Sequence, residues 1–182
     1  MIDSISLSFG SSFNCYDENI RQKYPDSCAI KAQQIILNSK GIDISESTLR
    51  DEAIDNGWYT PGHGTPVEET GNLLELHGVG VKRVHHASIR DISDEISQGH
   101  QVIVGVDSGE LWNPGFEETL EDLTIGGKPD HALIVSGFVI DPLTGEENIL
   151  LTDPGTGDIC TEYPEDDFED AWNDSDNFMV IS

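Results

Sequence analysis

The chain has 182 residues, enough for one domain with a sizeable core, and carries 35 acidic against 9 basic side chains, a formal charge of −26. That imbalance argues against nucleic acid, whose binding needs Lys and Arg to neutralise phosphates, and against an anionic membrane surface; it leaves a solvated, self-repelling exterior or an attraction for a basic partner. The three cysteines, Cys15, Cys28 and Cys160, make neither a disulfide framework nor a zinc spacing, and no stretch approaches the roughly 18 apolar residues of a membrane span.

Residues 1–20 are weakly patterned and are expected to be a short strand plus loop, or loosely ordered. They lack the basic and apolar regions of a Sec-type signal, so a reduced cytoplasmic setting is the default expectation, with signal-independent export as the other route. The stretch RQKYPDSCAIKAQQIILN follows. Pro25 disfavours helix at Tyr24, Asp26 or Ser27 can cap, and an apolar stripe then runs from Ala29 to Leu37. A helix is predicted from Cys28 to Gly41, with Cys28 in its first turn. Unpaired N–H groups and the helix dipole favour an anion there, a known way to make a cysteine nucleophilic.

Ser45 caps a second predicted helix reaching about Asn56, and 57–64 is a loop rich in glycine. Thr65-Pro66-Val67-Glu68 predicts a capping box opening a third helix that runs to His77 and stops at Gly78. Beyond it the pattern changes. Val79–Val84 is a candidate strand, Ser88–Ser97 a short capped helix and Gln101–Asp107 a β-branched strand. Residues 108–129 have no clean period, which marks a long functional or mobile loop. Ala132–Ile140 and Asn148–Thr152 are predicted to pair as a hairpin, followed by a helix from Pro164 to about Trp172 and a strand at Phe178–Ile181. Helices first and an antiparallel sheet second is an α+β pattern.

His131 precedes the first hairpin strand and Asp153 follows the second, so both fall at the open end of the hairpin, roughly opposite each other. Taken singly, each has an ordinary explanation. His131 can be a strand-edge histidine, and Asp153 opens the turn sequence Asp-Pro-Gly-Thr-Gly. Taken with the Cys28 helix, they can form a Cys–His–Asp triad in which cysteine attacks, histidine carries the proton and aspartate fixes the tautomer. The Cys28 N–H and the side-chain amide of Gln22, six residues upstream, could serve as oxyanion donors.

Gln22 and Cys28 in RQKYPDSC, His131 in DHALIVSG and Asp153 in TDPGTG, in that order, resemble the papain-like cysteine peptidases. Within them the chain is most similar to the group like the bacteriocin-processing peptidases, whose best-known members cleave after double-glycine leaders. The closing segment PEDDFEDAWNDSDNFMVIS resembles that group's last helix and strand. The resemblance implies a single domain over 1–182 of papain-like fold, with N-terminal helices packed on a C-terminal antiparallel sheet. It further implies Gln22 as oxyanion residue, Cys28 as nucleophile, His131 as base and Asp153 as orienting residue. A peptide or protein substrate is implied, with no cofactor and no metal. The chain departs from the group in having Ala29, where glycine is common after the cysteine.

Deamidase or transglutaminase chemistry on a glutamine side chain is the near neighbour of peptide or isopeptide cleavage on the same triad. A non-catalytic module holding a basic partner is the reading from another class. Cys15 and Cys160 are expected to be packing residues. His63, His77, His85, His86 and His100 show no metal spacing, and Trp112 can equally line a cleft or anchor its loop.

Overall fold

The computed structural model describes residues 9–10, 20–112 and 129–182. The helices are α1 (Cys28–Ser39), α2 (Glu46–Asp55), α3 (Asn72–Leu76), α4 (Ile89–Ser97), α5 (Ser108–Trp112) and α6 (Glu165–Asn173). The strands are β1 (Phe9–Gly10), β2 (Lys82–Val84), β3 (Val102–Val106), β4 (His131–Ile140), β5 (Glu147–Thr152), β6 (Thr161–Pro164) and β7 (Met179–Ile181). They form an antiparallel sheet in the order β2-β7-β3-β4-β5-β6, with β1 also pairing to β4. The α+β class read from the sequence is therefore the observed one.

The apolar runs of β3 and β4 are buried on both faces, because helices cover both faces of the sheet. Ile103, Ala132, Ile134 and Val180 pack with α1, α2 and α3. Their strand neighbours Val104, Leu133, Val135, Met179 and Ile181 pack with Ile92 and Ile96 of α4 and Phe168 and Trp172 of α6. This is the period-2 alternation of a pleated strand, with each face meeting its own core. On α1, every residue from Ala29 to Leu37 is buried, so the helix is the central post of the first core. Each fully buried Ile or Leu there contributes about 1.5–3 kcal/mol.

Where local chemistry is strong, the elements fall as expected. Ser45 Oγ accepts from Thr48 N–H at the start of α2, Ser88 and Asp91 make a reciprocal capping box on α4, and Gly41 takes the left-handed backbone (φ 80°) that ends α1. The third helix is different. Thr65 makes no capping box: a 3₁₀ turn at Val67–Glu69 is followed by Gly71 at φ 100°, and α3 starts afresh. No side chain at Gly71 can cap it. Instead Gln33 Oε1 of α1 accepts from Gly71 and Leu73 N–H, each at 3.0 Å.

α5 and β6 were not anticipated. The remainder of the 108–129 loop lies outside the described residues, as does most of the 1–20 segment and Cys15. Cys160, expected only to pack, is disulfide-bonded, and Cys28 is a free thiol. No helix among the described residues is long and apolar enough to cross a membrane.

Candidate active site

Cys28 is the first residue of α1, as predicted, but neither candidate cap acts as one. Ser27 occupies the N-cap position without a side-chain cap bond; its hydroxyl donates to Tyr24 O (3.0 Å) and to Glu46 Oε1 (2.8 Å). Asp26 accepts from the Tyr59 hydroxyl and from Gly62 N–H, both at 2.5 Å. Among the described residues no side chain thus takes the N–H groups of the first turn, which leaves them to an anion at the helix start. Glu46, buried at the start of α2, also accepts from Lys23 N–H (2.9 Å), so the loop before Cys28 is pinned from α2.

His131 and Asp153 do meet across the open end of the β4–β5 pair. His131 Nε2 and Asp153 Oδ1 are 2.6 Å apart, with side chains 9% and 5% exposed. That contact leaves the other ring nitrogen for Cys28, which lines the same cleft as the imidazole. Burial pulls the His131 pKa down, but it is outweighed by the Asp153 bond and the Cys28 contact, which push it up to about 10. Burial likewise raises Asp153; the bond and charge of His131, with Gly155 N–H and the Thr156 hydroxyl, more than reverse this and hold the carboxyl below its usual range.

The ordinary explanation of Asp153 holds at the same time. Its Oδ1 accepts from Gly155 N–H (2.6 Å) and its Oδ2 from Thr156 Oγ1 (3.2 Å), an Asx-type turn that orients the carboxylate toward the ring. The same turn reaches the Cys28 loop, since Gln22 N–H donates to Pro154 O at 2.8 Å.

Gln22 stands beside the site but differs from expectation. Its side-chain NH₂ donates to Tyr24 O (2.8 Å) and Pro25 O (2.9 Å), while its buried Oε1 has no partner among the described residues. Both amide hydrogens are taken by its own loop, because Pro25 turns the two carbonyls back toward it.

Two further residues lie at the site: Gly155, whose signal the sequence reading left unused, and Trp112, for which it left a cleft-lining and a loop-anchoring role open. Gly155 lies against the imidazole: a Cβ there would sit 2.8 Å from His131 Cε1. Its place after Asp-Pro was read only as turn chemistry. Trp112, in α5, meets His131 edge-on at 5.2 Å between ring centres. It therefore covers one edge of the His131 ring.

Two clefts share His131. One, about 350 Å³, runs between the Cys28 end of α1, the 62–67 segment and the ends of β3 and β4. The other, about 450 Å³, is bounded by residues 21–25, Ser108, Trp112 and Gly155. Three of the remaining histidines are engaged elsewhere: His77 with Glu52 (2.8 Å), His100 with Glu95 (2.6 Å) and His85 against the Phe178 ring. His63 lies on the rim of the first cleft. Among the described residues no group of His, Cys, Asp and Glu is arranged to hold a metal.

Solved structures similar to this one include the peptidase domain of Streptococcus ComA, a bifunctional ABC transporter involved in quorum sensing. It is 14% identical, with 90% of this chain and 96% of that chain covered and a TM-score of 0.61. A candidate C39-like peptidase of Bacillus anthracis is 17% identical, covering 90% and 94%, at a TM-score of 0.64. A double glycine motif protease of an AMS/PCAT transporter, solved in complex with the leader peptide, is 12% identical over 88% and 86%, at a TM-score of 0.54. At these identities the likeness is one of fold. Among curated proteins none matches at a comparable level of significance. The model of the peptidase C39-like family matches residues 15–178, nearly the whole chain, so the chain belongs to the peptidase C39-like family.

Proposed function

We propose that this protein is a cysteine peptidase that cleaves a peptide bond with Cys28 as nucleophile, His131 as general base and acid, and Asp153 as the residue that orients the imidazole. The observation that carries the reading is the buried 2.6 Å contact between His131 and Asp153, on the wall of the cleft that the thiol at the head of α1 also lines. The Cys28 sulfur attacks the substrate carbonyl carbon, and the protonated imidazole then donates to the leaving amine. The amine departs, water attacks the thioester with its proton passing to His131, and the acid product leaves with the thiol restored. The first-turn N–H groups of α1 stabilise the oxyanion. For Gln22 to act as a second donor, the arriving oxyanion must displace one of its two carbonyl bonds.

The substrate is a peptide or protein segment, in keeping with the leader peptide bound by one structural neighbour. The disulfide at Cys160 favours an oxidising compartment over the reduced cytoplasm suggested by the cysteine spacing, since cytosolic thiols are held reduced.

The test is the rate of Cys28 alkylation by iodoacetamide against pH, in the wild type and in His131→Ala, alongside hydrolysis of a peptide library. Rapid alkylation at and below neutral pH that disappears in the variant, with two-fragment cleavage by the wild type alone, is the expected result. A rate that rises only near the ~8.5 of a free thiol in both proteins refutes the triad. Release of ammonia without cleavage would replace peptide hydrolysis by deamidation.

A further inference from the structure

The few bases of this acidic chain are unevenly engaged. Lys82, Arg83 and Arg90 pair with carboxylates, Arg50 lies over the rings of Tyr24 and Tyr59, and Lys31 donates to Gln34. Arg21 and Lys23 are exposed, and neither side chain makes an ion pair among the described residues. Both line the 450 Å³ cleft that also holds Trp112 and Gly155. Their backbone is fixed from two directions. Gln22 N–H donates to Pro154 O (2.8 Å) in the turn after Asp153, and Lys23 N–H donates to Glu46 Oε1 (2.9 Å) at the start of α2. The Arg21 stem lies over Gly157, where φ is 86° and an added Cβ would stand 3.2 Å from Arg21 Cβ and 3.6 Å from its Cδ. Asp130 is the one carboxylate among the described lining residues, and Ser108 already donates to its two oxygens, at 2.9 and 3.0 Å. The lining thus sets two bases against one acid, the reverse of the balance of the whole chain.

At physiological salt, charges beyond about 8 Å are largely screened, so a group entering the cleft meets its lining rather than the sum of the surface. A guanidinium and an ammonium there suit a carboxylate. The proposed chemistry says which part of a peptide arrives. The acyl half becomes bonded to the Cys28 sulfur and stays in the cleft that Cys28 lines. The amine half takes its proton from His131, which both clefts share, and departs through the one that Cys28 does not line. We propose that Arg21 and Lys23 select an acidic side chain, Asp or Glu, in the substrate segment that follows the scissile bond. The placement after the bond rests on the peptidase reading; the preference of the cleft for an acidic side chain does not.

The experiment titrates the full chain with three product-like tetrapeptides, each with a free amine: Glu-Glu-Ala-Ala amide, Gln-Gln-Ala-Ala amide, and Gln-Gln-Ala-Ala ending in a free carboxylate. The readout is the saturable shift of the Trp112 indole and Gly155 amide signals. The Glu peptide is expected to bind more tightly than its Gln counterpart by about fivefold for each base engaged, the upper end for an ion pair open to water. Arg21→Gln and Lys23→Gln should each cut the preference by about that factor, and the double variant should abolish it. The charge-keeping Lys23→Arg should retain it. Lys40→Gln removes the same charge at the far end of α1, roughly 18 Å along the helix from Cys28, and should leave the preference intact. The proposal is overturned by equal affinities for the two amides, by no saturable shift with the Glu peptide, or by a preference that survives the double variant. Its loss in Lys23→Arg or in Lys40→Gln overturns it as well. Tighter binding of the free-carboxylate peptide than of the Glu amide would give the cleft to a chain terminus and overturn the side-chain assignment.

Cleavage reports on the placement separately. Peptides cut by the wild type should be enriched in Asp or Glu on the C-terminal side of the cut, and the double variant should lose that enrichment; enrichment only before the cut overturns the placement. The pH profile of Cys28 alkylation tests the triad by itself. A base-dependent preference for the Glu peptide without the triad signature keeps a cleft for acidic peptides and removes the peptidase. The triad signature without the preference removes the acidic selectivity alone.

Discussion

Gly155 fixes how close the Asp153 turn can come to the imidazole. In Gly155→Ala the new methyl would lie 2.8 Å from His131 Cε1 and 3.1 Å from Asp153 Oδ1, so the ring must shift off its partner. Misplacing a reacting group by an ångström costs about 100-fold in rate. The variant should lose about that much in kcat/KM on a cleaved peptide, and its melting temperature should fall too, most near pH 6 where the His131–Asp153 pair contributes fully. Loss of fold without loss of rate in the surviving protein would contradict this. The His131–Asp153 pair also ties stability to pH. The folded state raises His131 to about 10 from an ordinary 6.5, so its contribution is complete below 6.5 and is lost as pH rises through about 10. Asp153 is lowered, so its contribution is present above the ordinary carboxylate range and is lost in acid, as pH falls through its depressed folded value. Urea unfolding of wild type and His131→Asn should therefore differ most near pH 6 and converge toward pH 10. A difference that grows between pH 7 and 10 would mean that the imidazole is not held protonated.

At the scale of elements, two buried side chains join pieces that are distant in sequence. Glu46 holds the loop before Cys28 from the start of α2, and Gln33 caps α3 from the middle of α1. Replacing Glu46 by Ala leaves the Ser27 hydroxyl and Lys23 N–H to find other partners, and Gln33→Leu strips the cap from α3; each should cost about 1–3 kcal/mol in urea denaturation. Only Glu46→Ala should also slow Cys28 alkylation, since it alone releases the nucleophile loop. These contacts explain what could be read in the sequence. α1, α2, α4 and the β4–β5 hairpin carry their signals in adjacent residues: Ser45, Ser88 with Asp91, Gly41, and apolar runs bounded by turns. The break at Gly71 does not, because what stabilises it is a glutamine some forty residues earlier. β6 reads poorly because its four residues alternate in burial at the sheet edge and include acid and proline. Cys28, His131 and Asp153 were legible as an ordered set at element ends. The loss of the Gln22 donors to Tyr24 and Pro25 was not, since side-chain direction in a loop has no period.

Across the whole molecule, 35 acids face 9 bases, and the described ion pairs are few and mostly at the surface. Raising ionic strength from about 0.01 to about 1 M shortens the screening length from roughly 30 to 3 Å and relieves this self-repulsion. The melting temperature should rise by about 3 °C or more, the shift that about 1 kcal/mol gives at this size. A fall would mean that the acids are held by specific pairs. The sheet order has a consequence for how the protein is made. β7, the last strand in chain order, sits between β2 and β3, and the thiol on α1 is synthesised long before the strands that carry His131 and Asp153. On the proposed chemistry a nascent chain emerging from the ribosome would bear its nucleophile with no base beside it and could cut nothing. A chain clipped before Phe178 would leave β2 unpaired and one side of β3 bare, an edge open to other chains. Hydrolytic power would therefore arrive late, only once a three-residue strand has been inserted between β2 and β3.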